Sequence, residues 1–224
     1  MSGCCDSGGW DQVFGPRFAR HVAARYRKRG LDRTAQRMAD WLVLQGIQGA
    51  TVLDIGGGVG EIGLALLRLG ASNATTLELS SSYDAPAAAL AVETGMADRV
   101  ERRIGDIATN GSVAAPADVV VLHRVVCCYP DVEQLLAAAA DHARRAVVLS
   151  HPPRNALWRG MTAVQNVGLR ILGREYRSFD HPPAEMVQVL RDHGFQTEYV
   201  HRGLIWQVLA ASREPAPPDD SHPK

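Results

Sequence analysis

An apolar strand that runs into a carboxylate and then a run of glycines leaves a chain few ways to fold. Residues 52–60 have that form: Val52-Leu53-Asp54-Ile55-Gly56-Gly57-Gly58-Val59-Gly60. Thr51 to Leu53 read as a buried strand, and Glu61-Ile62-Gly63-Leu64-Ala65-Leu66-Leu67 continue at helical spacing. The glycines therefore fall in the strand-to-helix turn of a βαβ unit. Glycine reaches positive φ at little cost and lets a ligand approach the main chain, while the free N–H groups at the helix start favour an anionic group. Such a turn suits a nucleotide-type cofactor.

Two cofactors compete for it. Gly58, Gly60 and Gly63 spell the G-x-G-x-x-G of dinucleotide enzymes, and Glu78, ending the next strand, is placed to take ribose hydroxyls. An NAD(P)-dependent oxidoreductase is one reading of that pattern. Asp54 favours another, because a carboxylate just before the glycines repels a pyrophosphate and attracts the ammonium of an amino acid. S-adenosylmethionine carries that ammonium and no phosphate.

With these residues in place, the chain resembles the class I S-adenosylmethionine-dependent methyltransferases. Their loop has the form L-D-x-G-x-G-x-G, met here by Leu53, Asp54, Gly56, Gly58 and Gly60. Further matches follow in order: Glu78, the segment Gly105-Asp106-Ile107, and the strand from Asp118 to His123. The resemblance spans roughly residues 33 to 212. It implies that Glu78 binds both ribose hydroxyls, that Asp106 accepts from the adenine amine, that the backbone at Ile107 meets the ring, and that Asp54 faces the methionine end. Within the superfamily the layout is similar to magnesium-protoporphyrin O-methyltransferases, through Arg37-Met38, Trp41-Leu42, Tyr129 and Pro153-Arg154. It departs from them at Cys128-Tyr129, where that family has His-Tyr, and at Gly56-Gly57-Gly58, where it has Gly-Cys-Gly.

A chain of 224 residues with 46% hydrophobic content can bury the core of one domain of this kind. Lys plus Arg and Asp plus Glu both total 24, so no charge excess points to nucleic acid or an anionic membrane. The basic stretch Arg25 to Arg29 reads as the solvated face and last turn of a helix ending at Gly30. No apolar run reaches membrane-spanning length and the first residues lack the apolar core of a signal peptide, which implies a cytoplasmic enzyme. The cysteine pairs Cys4-Cys5 and Cys127-Cys128 fit neither a disulfide framework nor a zinc finger, so reduced thiols are expected. A sharper reading has the first pair meeting the second over the catalytic mouth, as a metal or redox site. No metal cluster is evident.

The rhythm of the remaining segments predicts an α/β fold: a doubly wound, Rossmann-like, seven-stranded sheet with an N-terminal helical cap and, by resemblance, a C-terminal antiparallel hairpin. Helices over 14–29 and 32–44, the second N-capped by Asp32, make a cap spanning residues 1–48. The cofactor-binding domain covers 49–213, and the proline- and aspartate-rich tail 214–224 reads as disordered. Strands are expected at 51–54, 74–79, 99–103, 117–122 and 145–150, with the hairpin at 196–202 and 206–212. Between them, residues 152–182 carry Trp158, Met161, Val164, Val167 and Ile171 at partly helical spacing with interspersed arginines, the pattern of a lid roofing a substrate cavity.

Ligands of open α/β sheets bind beyond the carboxyl ends of the strands, so the segment Leu122 to Asp131 should face the transferred group. His123 either lines the cofactor pocket or takes a proton from the acceptor, and Tyr129 either meets substrate or caps a loop. Arg124 and Arg154 are candidate anchors for a substrate carboxylate, with surface exposure as the alternative. The Asn-Pro-Pro-Tyr signature of many amino-group methyltransferases is absent. Taken with the resemblance, this implies methyl transfer to oxygen, carboxylate or phenol, of a hydrophobic or aromatic small molecule. A non-catalytic scaffold that retains the pocket is the other reading.

Overall fold

The computed structural model describes residues 9–213; Cys4, Cys5 and the tail expected to be disordered lie outside them. A parallel strand covered on both faces must be apolar at successive positions rather than alternate ones. Strands β1 (Thr51–Ile55), β4 (Ala117–His123) and β5 (Ala143–His151) meet that condition. Along β4, Val120 and Leu122 enter one core while Val119 and Val121 enter a second on the opposite face. Val147 and Leu149 alternate with Ala146 and Val148 in the same way. With β2 (Asn73–Glu78), β3 (Val100–Ile104), β6 (Gln196–Arg202) and β7 (Gln207–Ser212), they form one seven-stranded sheet in the order β3-β2-β1-β4-β5-β7-β6. The first five strands run parallel, and β7 pairs antiparallel with both β5 and β6.

Helices α6 (Val132–His142) and α8 (Pro183–Asp192) cover the first core, and α3 (Arg33–Leu44) and α4 (Glu61–Arg68) the second. The cap adds α1 (Trp10–Val13) and α2 (Pro16–Arg29), the latter packed through Ala19, Ala23 and Tyr26 against α5 (Asp84–Glu93). Asp32 caps α3 as expected, its Oδ1 accepting from the N–H groups of Thr34 at 2.8 Å and Ala35 at 2.9 Å. The helix expected over 14–29 is α2, which begins two residues later at Pro16, where proline suits the first helical turn; the short α1 that precedes it lies outside the expected range. The basic stretch also divides. Arg27 pairs with Glu93 on the surface at 2.6 Å, whereas Arg25 turns inward to Asp32 and Glu61.

The apolar segment after β5 forms α7 (Ala156–Ile171), which does not roof the cavity described below. Asn166 fixes its rotation: the amide Nδ2 donates to the Ser178 carbonyl at 2.8 Å, and its Oδ1 accepts from the Ser178 N–H at 2.9 Å. That contact, with Trp158 and Thr162, turns a mixed face inward and leaves Leu157, Met161, Val164 and Ile171 exposed. No helix of the described residues is long and apolar enough to cross a membrane.

Leu122 is fully buried at the centre of the sheet. Leu122→Ala should lower unfolding free energy by about 2 to 5 kcal/mol, read from urea denaturation, because a rigid two-sided core collapses poorly around the lost volume.

Candidate functional site

The strand order reverses between β1 and β4, and there a cavity of about 370 Å³ opens beyond the carboxyl ends of the strands. Its floor follows the sheet. Asp106 comes after β3, Glu78 ends β2, Asp54 and the glycine loop end β1, and His123 ends β4; all four line the cavity. Neighbouring strands stand about 4.8 Å apart, so these groups spread over roughly 14 Å.

The loop needs its glycines for two different reasons. Gly56, Gly58 and Gly60 take positive φ values of 64°, 58° and 78°, where a side chain is strained. Gly57 does not, yet a Cβ there would stand 2.5 Å from the Asp54 carboxylate. Asp54 is thus packed directly beneath bare main chain. Neither of its oxygens meets a donor at hydrogen-bond geometry among the described residues, and the Gly63 N–H and Arg102 exert only a weaker pull on it. Burial, followed by the nearby charges of Glu61 and Glu78, pushes this carboxyl well above its ordinary range. Glu78 is hydrogen-bonded but also buried: its Oε1 accepts from Gly58 N–H at 2.6 Å and its Oε2 from Leu79 N–H at 3.2 Å. Burial raises its pKa as well, despite the pull of Gly58 N–H and Arg102.

At the end of β4 one carboxylate gathers several partners. Asp32 Oδ2 accepts from Arg124 at 2.7 Å and Arg25 at 3.4 Å, and faces His123 Nε2 at 3.5 Å. Burial alone would raise the Asp32 pKa. The His123 and Ala35 hydrogen bonds and the cationic neighbours outweigh it and hold the carboxyl far below its usual range. Arg124 adopts φ 61°, unusual outside glycine, with its N–H donated to Ser150 Oγ at 2.9 Å and its guanidinium over the Trp206 ring at 4.9 Å. Ser150 Oγ also bonds His123 Nδ1 at 3.0 Å, and because Nε2 faces the Asp32 carboxylate, the ring proton belongs on Nε2, which leaves Nδ1 to accept from the serine hydroxyl. His123 is then the neutral tautomer with Nε2–H toward Asp32, and burial lowers its pKa in agreement. Both ring nitrogens are engaged.

Tyr129 lines the cavity, and its phenol donates to Asp106 Oδ2 at 2.8 Å. Burial and that bond raise its pKa, so it keeps its proton and orients Asp106 instead of accepting from a substrate. Asp106 Oδ1 accepts from Ala108 N–H at 2.9 Å. Ile107 also lines the cavity. Arg154 is not brought to this site: it lies in a separate cleft beside β6 and pairs with Asp180 at 3.4 Å. Arg124 is present, although its guanidinium is committed to Asp32.

The sequence marks the N-terminal helices as a cap without showing which of their side chains meet the cavity. The wall is made by Trp10, Phe14, Phe18 and Val22, spaced every four residues, a visible signal of one apolar face. Two contacts latch it in place. Asp11 accepts from Ser80 and, at 3.2 Å, from Ser82, while Trp10 and Phe14 meet the Tyr176 ring edge-on at 5.8 Å and 5.3 Å. Tyr176 O–H reaches Cys128 Sγ at 3.1 Å, and Cys128 lines the cavity beside Cys127, the two sulfurs being 3.8 Å apart.

Sheet order, reversed hairpin and cavity position together define a Rossmann-like, methyltransferase-type α/β fold. Magnesium protoporphyrin IX methyltransferase from Synechocystis PCC 6803, solved with bound SAH, shares it with a TM-score of 0.65 at 21% identity, over 94% of this chain and 96% of that one. An O-methyltransferase family protein from Burkholderia thailandensis matches with a TM-score of 0.68 at 18% identity, over 90% of this chain and 61% of that one. An O-methyltransferase family 2 protein from Planctomyces limnophilus DSM 3776, in complex with apigenin, gives 0.63 at 21% identity, over 88% of this chain and 61% of its own. No protein-family model and no curated protein matches the chain.

Asp32→Asn keeps a capping oxygen and removes the charge that Arg25, His123 and Arg124 share. At pH 7 it should cost about 1 to 3 kcal/mol in chemical denaturation, since the partners are only half-buried. A carboxyl with a depressed folded pKa stabilises above its unfolded value, near 4, and loses that contribution as pH falls toward the folded value. The gap between wild type and variant should therefore narrow below about pH 4.

Proposed function

We propose that this chain is an S-adenosylmethionine-dependent methyltransferase whose acceptor is the carboxylate oxygen of a hydrophobic or aromatic small molecule. The observation that carries the reading is Asp54: a buried, unpartnered carboxylate under a glycine turn repels phosphate and suits an ammonium. The order of groups across the sheet supports it. Asp106 and Ile107 would hold the adenine, Glu78 the ribose hydroxyls, and Asp54 with Gly56, Gly58 and Gly60 the amino-acid end. The methyltransferase fold of the solved relatives adds support. When bound, S-adenosylmethionine supplies a methyl group on an electrophilic sulfonium.

The chain's own residues bind, align and exclude water. Trp10, Phe14 and Phe18 offer an apolar wall for the acceptor body. His123 and Arg124, locked by Ser150 and Asp32, fix the end of β4 instead of moving a proton. With the His123 lone pair engaged and Tyr129 donating to Asp106, no strong base faces the cavity from this segment. That favours a nucleophile already ionised at neutral pH, which a carboxylate is and a phenol, with pKa about 10, is not. Proximity and alignment then supply the acceleration. The reading places the enzyme in the cytoplasm, acting on metabolites.

Isotopically labelled methyl donor, incubated with the protein and a metabolite extract, should give a labelled product that alkali cleaves, as it does a methyl ester. An alkali-stable labelled ether would overturn the carboxylate assignment. Binding of NAD without S-adenosylmethionine in calorimetry would overturn the donor assignment. Glu78→Ala should weaken donor binding by roughly 1 to 3 kcal/mol, about 5- to 150-fold.

Donor affinity should also depend on pH. Asp54 holds its proton above the ordinary carboxyl range until a cation sits beside it, so binding releases a proton and tightens as pH rises through its raised pKa. Asp54→Asn should bind more weakly at high pH and flatten that dependence, measured by calorimetry in buffers of differing ionisation heat.

A further inference from the structure

Helix α7 carries its apolar stripe outward. Leu157, Met161, Val164 and Ile171, at spacings of four, three and seven, are 75%, 56%, 74% and 78% exposed. The tip of the β6–β7 hairpin continues the patch, with Leu204 at 92% and Ile205 at 66%, joined to the start of α7 by the Trp158–Trp206 ring contact at 6.2 Å. Large contiguous exposed apolar patches mark surfaces meant to be covered.

Charge identifies the cover. The chain is neutral overall, yet residues 154–180 hold five arginines against Glu175 and Asp180. Asp180 pairs with Arg154 and Arg159. Arg170, Arg174 and Arg177, with Arg202 on the hairpin, form no salt bridge among the described residues. Helix α7 itself has no acidic residue. A second copy packed on this face would bring arginine-flanked stripes together with no carboxylate on either helix to answer them. An anionic lipid surface answers both features at once, taking the apolar side chains into the headgroup boundary while the arginines reach phosphate.

The geometry points to α7 and the hairpin tip as a peripheral docking surface for an anionic lipid bilayer. It lies one segment from the cavity rim: residues 172–176 run from the end of α7 to Tyr176, which contacts Trp10, Phe14 and Cys128. An apolar acceptor partitioned in the bilayer would meet the cavity wall close to where it leaves the lipid. Docking is independent of methyl transfer, so a failure here leaves the proposed reaction standing, and the reverse.

The test is co-sedimentation of the full chain with vesicles of equimolar phosphatidylglycerol and phosphatidylcholine, and with phosphatidylcholine alone. Wild type should pellet with the anionic vesicles and be released by added salt. The triple variant Leu157→Ser/Val164→Ser/Ile171→Ser should lose about tenfold or more in partitioning with little change in thermal midpoint, since these side chains are already exposed. Leu204→Ser/Ile205→Ser tests the same surface from a separate element and should also weaken partitioning. Arg170→Gln/Arg174→Gln should reduce binding to anionic vesicles alone. Wild type remaining in the supernatant, or folded variants that partition as wild type does, would overturn the proposal. So would a wild-type dimer in sedimentation velocity that the serine variants dissolve, which would assign the face to a second copy.

Discussion

Asp32 joins parts of the molecule that the chain keeps far apart. Its Oδ1 caps α3, and its Oδ2 accepts from Arg124, 92 residues away and just beyond the end of β4. Arg25, from α2, reaches the same oxygen. One carboxylate thus ties the cap helices to the point where the strand order reverses, and the cavity lies between them. Removing charges from water is costly unless the remaining valences are met, and here three kinds of donor meet them: two backbone N–H groups, two guanidinium groups and an imidazole. The positive φ of Arg124 persists because both its N–H and its guanidinium are held.

What was legible in the sequence was local. Val119 to Leu122 read as a strand because four successive apolar residues fit a sheet covered on both faces, and the cores divide along it as that period requires. The Asp54 loop and the Asp32 cap were legible because turn and cap chemistry operate over a few residues. The partnerships that decide roles were not. Nothing in sequence spacing joins Tyr129 to Asp106 or His123 to Ser150, since each pair is made by strand order. Arg154 follows β5 as a site residue would, but a nearby Asp180 takes it into another cleft. In α7 the periodicity revealed an apolar stripe without showing which way it faces. Its rotation is set by one amide, Asn166, clasping the Ser178 backbone, and a hydrophobic pattern holds no record of that bond.

The acidic character of the cavity follows from the same geometry and bears on the direction of binding. Asp54, Glu61 and Glu78 are all buried, and in each burial is the leading reason that the carboxyl pKa rises. Arg25 stands 3.8 Å from Glu61, and Arg102 bonds the Gly58 carbonyl at 2.8 Å, so fixed cations approach the rim while the Asp54 oxygens remain unmatched. Such a site gains most from a ligand that brings its own positive charge and excludes one bearing phosphate. On the proposed reading, the donor enters with a sulfonium beside its zwitterionic amino-acid end, and its product leaves with that end unchanged and the sulfonium charge gone. Part of the attraction that seated the donor is therefore absent from the product. A neutral-to-anionic acceptor beside Trp10 and Phe14 meets little competing charge from that apolar wall. Cation selection at the floor and apolar selection at the wall are then separate functions of separate elements, the first built by the β1 turn and the second by the cap that Asp32 holds in place.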